Sequence, residues 1–302
     1  MSDDKKEKCA EEGKTCSSCA ERGTCEHAKD KPAFDPPHPL SKIKHVIAIM
    51  SGKGGVGKST VTALLAVALT RDGNQVGILD ADVTGPSIPK LFGLKGKPEA
   101  SELGIFAPRT NLLGIRAISM NLFLEREDEP VIWRGPIISN VIRQFWTEVI
   151  WGDLDYLLVD LPPGTGDAPL TVMQSLPLDG VIIVSSPQEL AVMVVKKAIR
   201  MAEIVNIPIL GLIENMAYAV CPHCGQRFFP FGEPKGEKVS MEVGIPFLGY
   251  LPINPELSQL GDEGKIEEVE HTGLGEVPKT LSEQLSRYSR TAQLLFKSQQ
   301  PQ

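Results

Sequence analysis

Nothing among the 302 residues approaches the uninterrupted apolar run of about 18 residues that a membrane-spanning helix needs. The opening stretch Met1–Lys8 is charged, and no apolar segment follows it, so it does not read as a secretory leader. An excess of positive charge is also missing: 31 Lys+Arg stand against 38 Asp+Glu, a net charge of −7, which argues against a broad nucleic-acid-binding face. There is no internal repeat, and no Ser–His–Asp or Cys–His constellation that would mark a protein nucleophile. What remains is 42% apolar and 23% charged, the balance of a globular chain rather than a disordered one. A chain this long buries roughly 75% of its unfolded surface. These features together predict a cytoplasmic protein.

Cysteine is absent from residues 26–220, which makes its two clusters stand out. Cys9, Cys16, Cys19 and Cys25 form one; Cys221-Pro222-His223-Cys224 forms the other. With no sign of export, clustered thiols point to a metal or to redox work rather than to disulfides. Zinc takes four ligands in a tetrahedron, and iron–sulfur clusters are likewise held by thiolates, commonly four. The first cluster supplies four sulfurs by itself. The second supplies two and has to find two more elsewhere. Spacing leaves zinc and iron–sulfur equally open for that pair, with His223 as a further zinc ligand candidate.

Residues 1–30 are read as a small Cys-rich segment ordered by what it binds, and 31–44 as a Pro-rich linker with too few apolar residues for a core. From residue 45 to 302 the texture is that of a folded domain. Ile-, Val- and Leu-rich runs at His45–Met50, Val76–Asp80, Leu112–Ser119, Tyr156–Asp160, Val181–Ser185, Ile209–Ile213 and Phe247–Leu251 read as strands buried on both faces. Helical spacing fills Lys58–Arg71, Ile137–Val149, Leu190–Val205 and Lys279–Lys297, the last with Leu281, Leu285, Tyr288, Ala292 and Leu295 on one stripe. The expected fold is α/β, a mostly parallel sheet with helices on both faces, its ligands outside the carboxyl ends of the strands.

The first strand runs into Ser51-Gly52-Lys53-Gly54-Gly55-Val56-Gly57-Lys58-Ser59-Thr60, which fits the phosphate-loop pattern G-x-x-x-x-G-K-[ST]. Its glycines let backbone N–H groups turn toward phosphate oxygens, and the following helix aims its positive end at them. Lys58 is placed for the terminal phosphates of ATP and the Ser59 hydroxyl for Mg²⁺. Leu157-Leu158-Val159-Asp160 ends a strand with a carboxylate in the manner of a Walker B element, and Gly164 follows as a peptide able to turn toward a γ-phosphate.

Lys53, a second lysine inside the loop, resembles the deviant Walker A signature of the MinD-like ATPases. That resemblance implies a face-to-face dimer in which Lys53 reaches the partner's nucleotide, as an arginine finger does. It also implies that Asp80 lies near the metal, that Asp82 orients the attacking water, and that Asn215 of Glu214-Asn215-Met216 reads the adenine edge. Taken with Trp133-Arg134-Gly135-Pro136, Asp160-Leu161-Pro162-Pro163-Gly164-Thr165-Gly166-Asp167 and the Cys221/Cys224 pair, all in family order, residues 40–262 resemble the Mrp/ApbC (Nbp-type) iron–sulfur cluster carriers. The resemblance implies a homodimer whose two Cys221/Cys224 pairs bridge one [4Fe–4S] cluster on the two-fold axis. The N-terminal cysteines resemble those of branches with a second [4Fe–4S] cluster. The gap from Cys9 to Cys16 is shorter than those branches use, which leaves His27 as a rival to Cys9.

The implied function is an ATP-hydrolysing carrier that passes [4Fe–4S] to apoproteins, working with cluster-assembly factors and with neither nucleic acid nor membrane as partner. The alternative is a MinD/ParA-like positioning ATPase with structural zinc sites. That class calls for a basic or amphipathic tail, and the terminal helix offers Lys279, Arg287, Arg290 and Lys297 against Glu276 and Glu283. An electron donor like the nitrogenase iron protein fits less well, since its ligating cysteines lie far apart in sequence. For Arg134 the residues suggest no catalytic task.

Overall fold

The apolar runs do become strands, side by side in the order Arg227–Phe228, Ile209–Val220, Gly180–Ser185, Lys42–Ser51, Asp153–Asp160, Val76–Asp80, Arg116–Ser119, with Phe247–Pro252 also paired to Ile209–Val220. The computed structural model describes residues 34–82, 85–123, 135–187 and 191–298. Cys9, Cys16, Cys19, Cys25, His27, Trp133 and Arg134 lie outside the described residues, as do the side chains of Ala292 and Leu295. The compact unit runs from Pro36 to Gln302.

In chain order the strands are β1 Lys42–Ser51, β2 Val76–Asp80, β3 Ala100–Ser101, β4 Gly104–Phe106, β5 Arg116–Ser119, β6 Val149–Ile150, β7 Asp153–Asp160, β8 Gly180–Ser185, β9 Ile209–Val220, β10 Arg227–Phe228 and β11 Phe247–Pro252. The helices are α1 Lys58–Arg71, α2 Ile88–Leu91, α3 Gly135–Thr147, α4 Asp167–Ser175, α5 Ala191–Ile204, α6 Gly236–Val243, α7 Pro255–Glu263 and α8 Val277–Ser298. Short 3₁₀ turns lie at Met120–Phe123 and Ile266–Glu268. All main-sheet pairings are parallel except that of β10, which folds back on β9.

One core fills each face of this sheet. Val46, Ala48 and Met50 of β1 point to the side covered by α3, α4 and α5, around Ile142, Phe145, Trp146 and Trp151. Ile47 and Ile49 point to the other side, where α1 contributes Val61, Leu64, Leu65 and Leu69 and α8 contributes Leu281 and Leu285. Burial on both faces is why these strands carry unbroken Ile, Val and Leu rather than alternation. Helix α1 is buried from Val61 to Leu69 all round, so its apolar residues do not form a stripe.

Two expectations need adjusting. Leu112–Ser119 contributes strand only from Arg116, because Gly114 takes a left-handed φ of 69° and the N–H groups of Leu112 and Leu113 are held by Glu267. Leu112 is 62% exposed, an apolar residue at a turn rather than in a strand. In the other direction, β9 runs past Ile213 to Val220, since β11 pairs with it as far as Tyr218 and β10 pairs with its last two residues.

Parallel register does the positioning. Asp80 stands opposite Asp160 in the β2–β7 ladder, Ser51 opposite Val184 and Ser185 opposite Glu214. The carboxyl ends of β2 and β7 therefore deliver Asp80 and Asp160 side by side, in the sheet whose central strand β1 runs into the loop, while Glu214 stands within β9.

Candidate functional site

The loop between β1 and α1 closes around a cavity of about 260 Å³ lined by Lys53, Gly54, Gly55, Lys58, Ser59 and Asp82, among others. Gly55 and Gly57 take left-handed φ values of 81° and 75°, which β-carbon-bearing residues rarely adopt. Gly57 is the N-cap of α1 and offers no side chain, so the first N–H groups of the helix have no internal partner to displace. This open positive end is what an anionic phosphate needs.

Three carboxylates and one ammonium form the floor. Lys58 Nζ lies 2.8 Å from Asp160 Oδ1 and 3.9 Å from Asp82 Oδ2, with all three side chains nearly or wholly buried. Asp160 also accepts the Ser59 hydroxyl at 2.5 Å and the Thr62 hydroxyl at 2.8 Å. Asp80 accepts the backbone N–H groups of Asp82 and Ile88, at 3.2 and 3.3 Å, and so ties down the loop after β2. Burial first, and the neighbouring Asp160 next, push the Asp80 carboxyl up to about 8, Lys58 offsetting only part of this. Three acidic side chains and the Ser59 hydroxyl thus gather around a single ammonium. A hard divalent cation with oxygen ligands, Mg²⁺, fits that donor set.

The sign of the Asp80 shift sets a pH dependence. A carboxyl held above its ordinary value binds its proton in the folded chain and loses it in the unfolded one. The stabilisation is complete below about pH 4 and lost as the pH rises toward 8. In EDTA, thermal unfolding should therefore occur at lower temperature at pH 8 than at pH 6, and excess Mg²⁺ should narrow the gap. Asp80→Asn should narrow it too, without Mg²⁺. Equal pH slopes for the variant and the parent would refute the assignment.

Of the remaining predicted residues, Lys53 is exposed at the mouth of the cavity, with no carboxylate partner for its ammonium among the described residues. Gly52 and Val56 lie in the loop, Val56 buried, and Thr60 lies in the first turn of α1. Gly164 has a φ of 94°, and its N–H donates to Ser51 O at 2.9 Å, so a turn toward phosphate would exchange one acceptor for another.

A second cavity, of about 660 Å³, adjoins the first and shares Gly57, Thr60 and Ser87 with it. Asn215, Met216, Phe231 and the segment from Pro252 to Pro255 form its walls. Asn215 donates from Nδ2 to Val56 O at 2.9 Å, which leaves Oδ1 to accept from an exocyclic amine such as adenine's. A β-carbon at residue 57 would collide with the Asn215 amide, a second reason for glycine there. Sequence reasoning did not reach the far wall, although Asn254 followed by Pro255 is a helix-start signal: Asn254 Oδ1 caps α7 by accepting the Glu256 N–H at 3.0 Å. It also missed Glu214, which is wholly buried and accepts the N–H groups of Lys235 and Gly236 at 3.0 and 2.8 Å. Thr62 escaped notice as well, one helical turn beyond Lys58.

Cys221 and Cys224 sit at the turn between β9 and β10. Gln226 O accepts the Cys221 N–H and Cys221 O accepts the Gly225 N–H, both at 2.9 Å, with Gly225 left-handed at φ 71°. The backbone N–H groups of Cys224 and His223 point at the Cys221 sulfur and, with the Cys224 thiol, hold it below the ordinary thiol range. A turn that favours thiolate suits a metal ligand. Cys221 is half-buried and Cys224 exposed. Among the described residues, no third His, Cys, Asp or Glu side chain joins Cys221 and Cys224 in a metal site.

Comparison with known proteins places this geometry. The model of the NUBPL iron-transfer P-loop NTPase family (ParA) matches residues 42–286. An iron–sulfur cluster carrier protein of Methanocaldococcus jannaschii is 49% identical over 254 residues, 82% of this chain and 87% of that one. One of Clostridium perfringens is 44% identical over 268 residues, 84% of this chain and 94% of that one. A nucleotide-binding protein of Archaeoglobus fulgidus, solved in complex with ADP and with Co found in it, is 51% identical, with a TM-score of 0.70 over 76% of this chain and 90% of that one. The cell division ATPase MinD of Pyrococcus furiosus shares the fold at 21% identity, with a TM-score of 0.54 over 80% of this chain and 98% of that one.

Proposed function

The chain belongs to the iron-transfer P-loop NTPase family, and on that premise we propose that it binds and hydrolyses ATP while carrying a [4Fe–4S] cluster from cluster-assembly factors to apoproteins in the cytoplasm. The observation that carries this reading is the presence, on one chain, of a phosphate cradle and of a thiol pair with two ligands too few. A second copy related by a two-fold axis supplies the missing two sulfurs, so the cargo sits between protomers.

In this reading the N-terminal N–H groups of α1 and Lys58 hold the phosphates, and Asn215 accepts from the adenine amine. Mg²⁺, held through Ser59 and by Asp160 and Asp80, would draw charge from the transferring phosphoryl group. Asp82, in the cradle wall beside Lys58, orients the attacking water. Lys53, exposed and without a carboxylate partner among the described residues, reaches the partner's nucleotide. A second [4Fe–4S] on Cys9, Cys16, Cys19 and Cys25 belongs to the same proposal. A positioning switch of the MinD type accounts for the nucleotide site but not for the thiol turn, and no described helix is long and apolar enough to cross a membrane.

Anaerobic purification followed by assay of iron, acid-labile sulfide and zinc tests the reading. The full chain should hold about six irons with matching sulfide, and a form without residues 1–30 about two. Zinc without sulfide in both forms, even after reconstitution with iron and sulfide, would refute the carrier reading.

A further inference from the structure

The two candidate sites are joined by a short stretch of chain with one end on each. Phe231 is 39% exposed and lines the base cavity together with Asn215. It lies between β10 and α6. On the β10 side, Arg227 pairs with Val220 and Phe228 with Ala219, which closes the turn carrying Cys221 and Cys224. The Arg227 guanidinium lies over the Tyr218 ring, 4.4 Å from its centre, and fastens the same hairpin. On the α6 side, the N–H groups of Lys235 and Gly236 are held by Glu214. Glu214 precedes Asn215, which is bonded to the phosphate loop at Val56 O. Met216, next in line, has a left-handed φ of 58° that an unbranched side chain tolerates only at a cost.

Slack in this connection is small. Pro230 and Pro234 lie on either side of Phe231, and each ring fixes its own φ. The Gly232 N–H is turned back onto Phe229 O at 3.1 Å. Such a segment shifts as a piece when one of its side chains is displaced or pinned.

We propose that Phe231 is a positioning residue through which nucleotide occupancy reaches the thiol turn: a purine base stacked on its ring pins the segment from Phe229 to Lys235, and the pinned hairpin shields Cys221 and Cys224. The inference rests on the nucleotide-binding half of the reading above and needs no cluster. Aromatic rings suit this task because they offer a flat, polarisable face to a base without reading its edge.

The test uses the full chain with Cys9, Cys16, Cys19 and Cys25 changed to serine, so that Cys221 and Cys224 are its only thiols. Metal-free protein is reacted with a chromogenic aromatic disulfide, alone, with Mg·ADP, or with Mg·pyrophosphate, which carries phosphates but no base. ADP should slow the thiols several-fold and pyrophosphate should not. Phe231→Ala should bind ADP about tenfold more weakly, the scale of one lost base–aromatic stack. At saturating ADP its thiols should react as they do without nucleotide, and Phe231→Trp should restore the slowing. Equal slowing in Phe231→Ala, unchanged ADP affinity in it, or slowing by pyrophosphate alone would each overturn the inference. Failure of the carrier reading would show separately, in the iron and sulfide assay.

Discussion

With Cys221 and Cys224 both changed to serine, the chain should lose about two irons and two sulfides while its nucleotide affinity stays the same. The geometry separates the two effects. The thiols sit on a turn at the far end of β9, Cys224 exposed and Cys221 half-buried, and neither belongs to the core of either sheet face. Serine retains the turn, because its hydrogen bonds run through the backbone of Cys221, Gly225 and Gln226. Metal-free stability should thus move by no more than about 0.5 kcal/mol, as for other surface changes away from special features. Either single variant should lose as much iron as the double, since a bridged site missing one sulfur from each subunit keeps only two of its four. A double variant that keeps its full iron and sulfide would end the assignment.

The two lysines of the phosphate loop should behave as opposites. Lys58→Ala should abolish measurable hydrolysis, a loss of at least about a hundredfold, by removing the cation that stabilises the transferred phosphoryl group. It should also destabilise the metal-free fold by about 3–5 kcal/mol, since the wholly buried Asp160 is left with no ammonium beside it. Lys53→Ala should leave melting temperature and ADP affinity nearly as they were, because Lys53 is exposed and makes no ion pair among the described residues. Its hydrolysis should fall steeply all the same if the lysine acts on the partner's nucleotide. The decisive mixing experiment pairs Lys53→Ala chains with Lys58→Ala chains: a shared site predicts partial recovery of activity, a self-contained one predicts none.

The sheet was readable because burial on both faces leaves one-sided evidence: Ile, Val and Leu in succession with no alternation, as in Val76–Asp80 and Val181–Ser185. The phosphate loop was readable because its chemistry demands particular residues at fixed spacing. The strands of β3, β4 and β6, two or three residues each, are too short to carry a period. Leu112 and Leu113 looked like strand because an apolar pair says nothing of where its N–H groups go, and here they go to Glu267. The base cavity was half legible. Asn215 follows the recognisable apolar run Ile209–Ile213, but Phe231 and Pro252–Pro255 meet it only through tertiary folding. Glu214 gave no sign of its task, because its oxygens accept the N–H groups of Lys235 and Gly236 at the start of α6, 21 and 22 residues further on.

If one cluster bridges two copies of the chain, as proposed, the incomplete thiol pair makes cargo retention a question of concentration. A site that one chain cannot complete has an occupancy that depends on the square of the chain concentration, so dilution alone would release iron from a protein whose fold is untouched. The same dependence runs the other way: an acceptor offering thiolates of its own need not extract a cluster from a closed cage, because each protomer holds only half of the bonds and can leave one at a time. The ligand deficit that looks like a flaw in a single chain is then what allows the cargo to be given up.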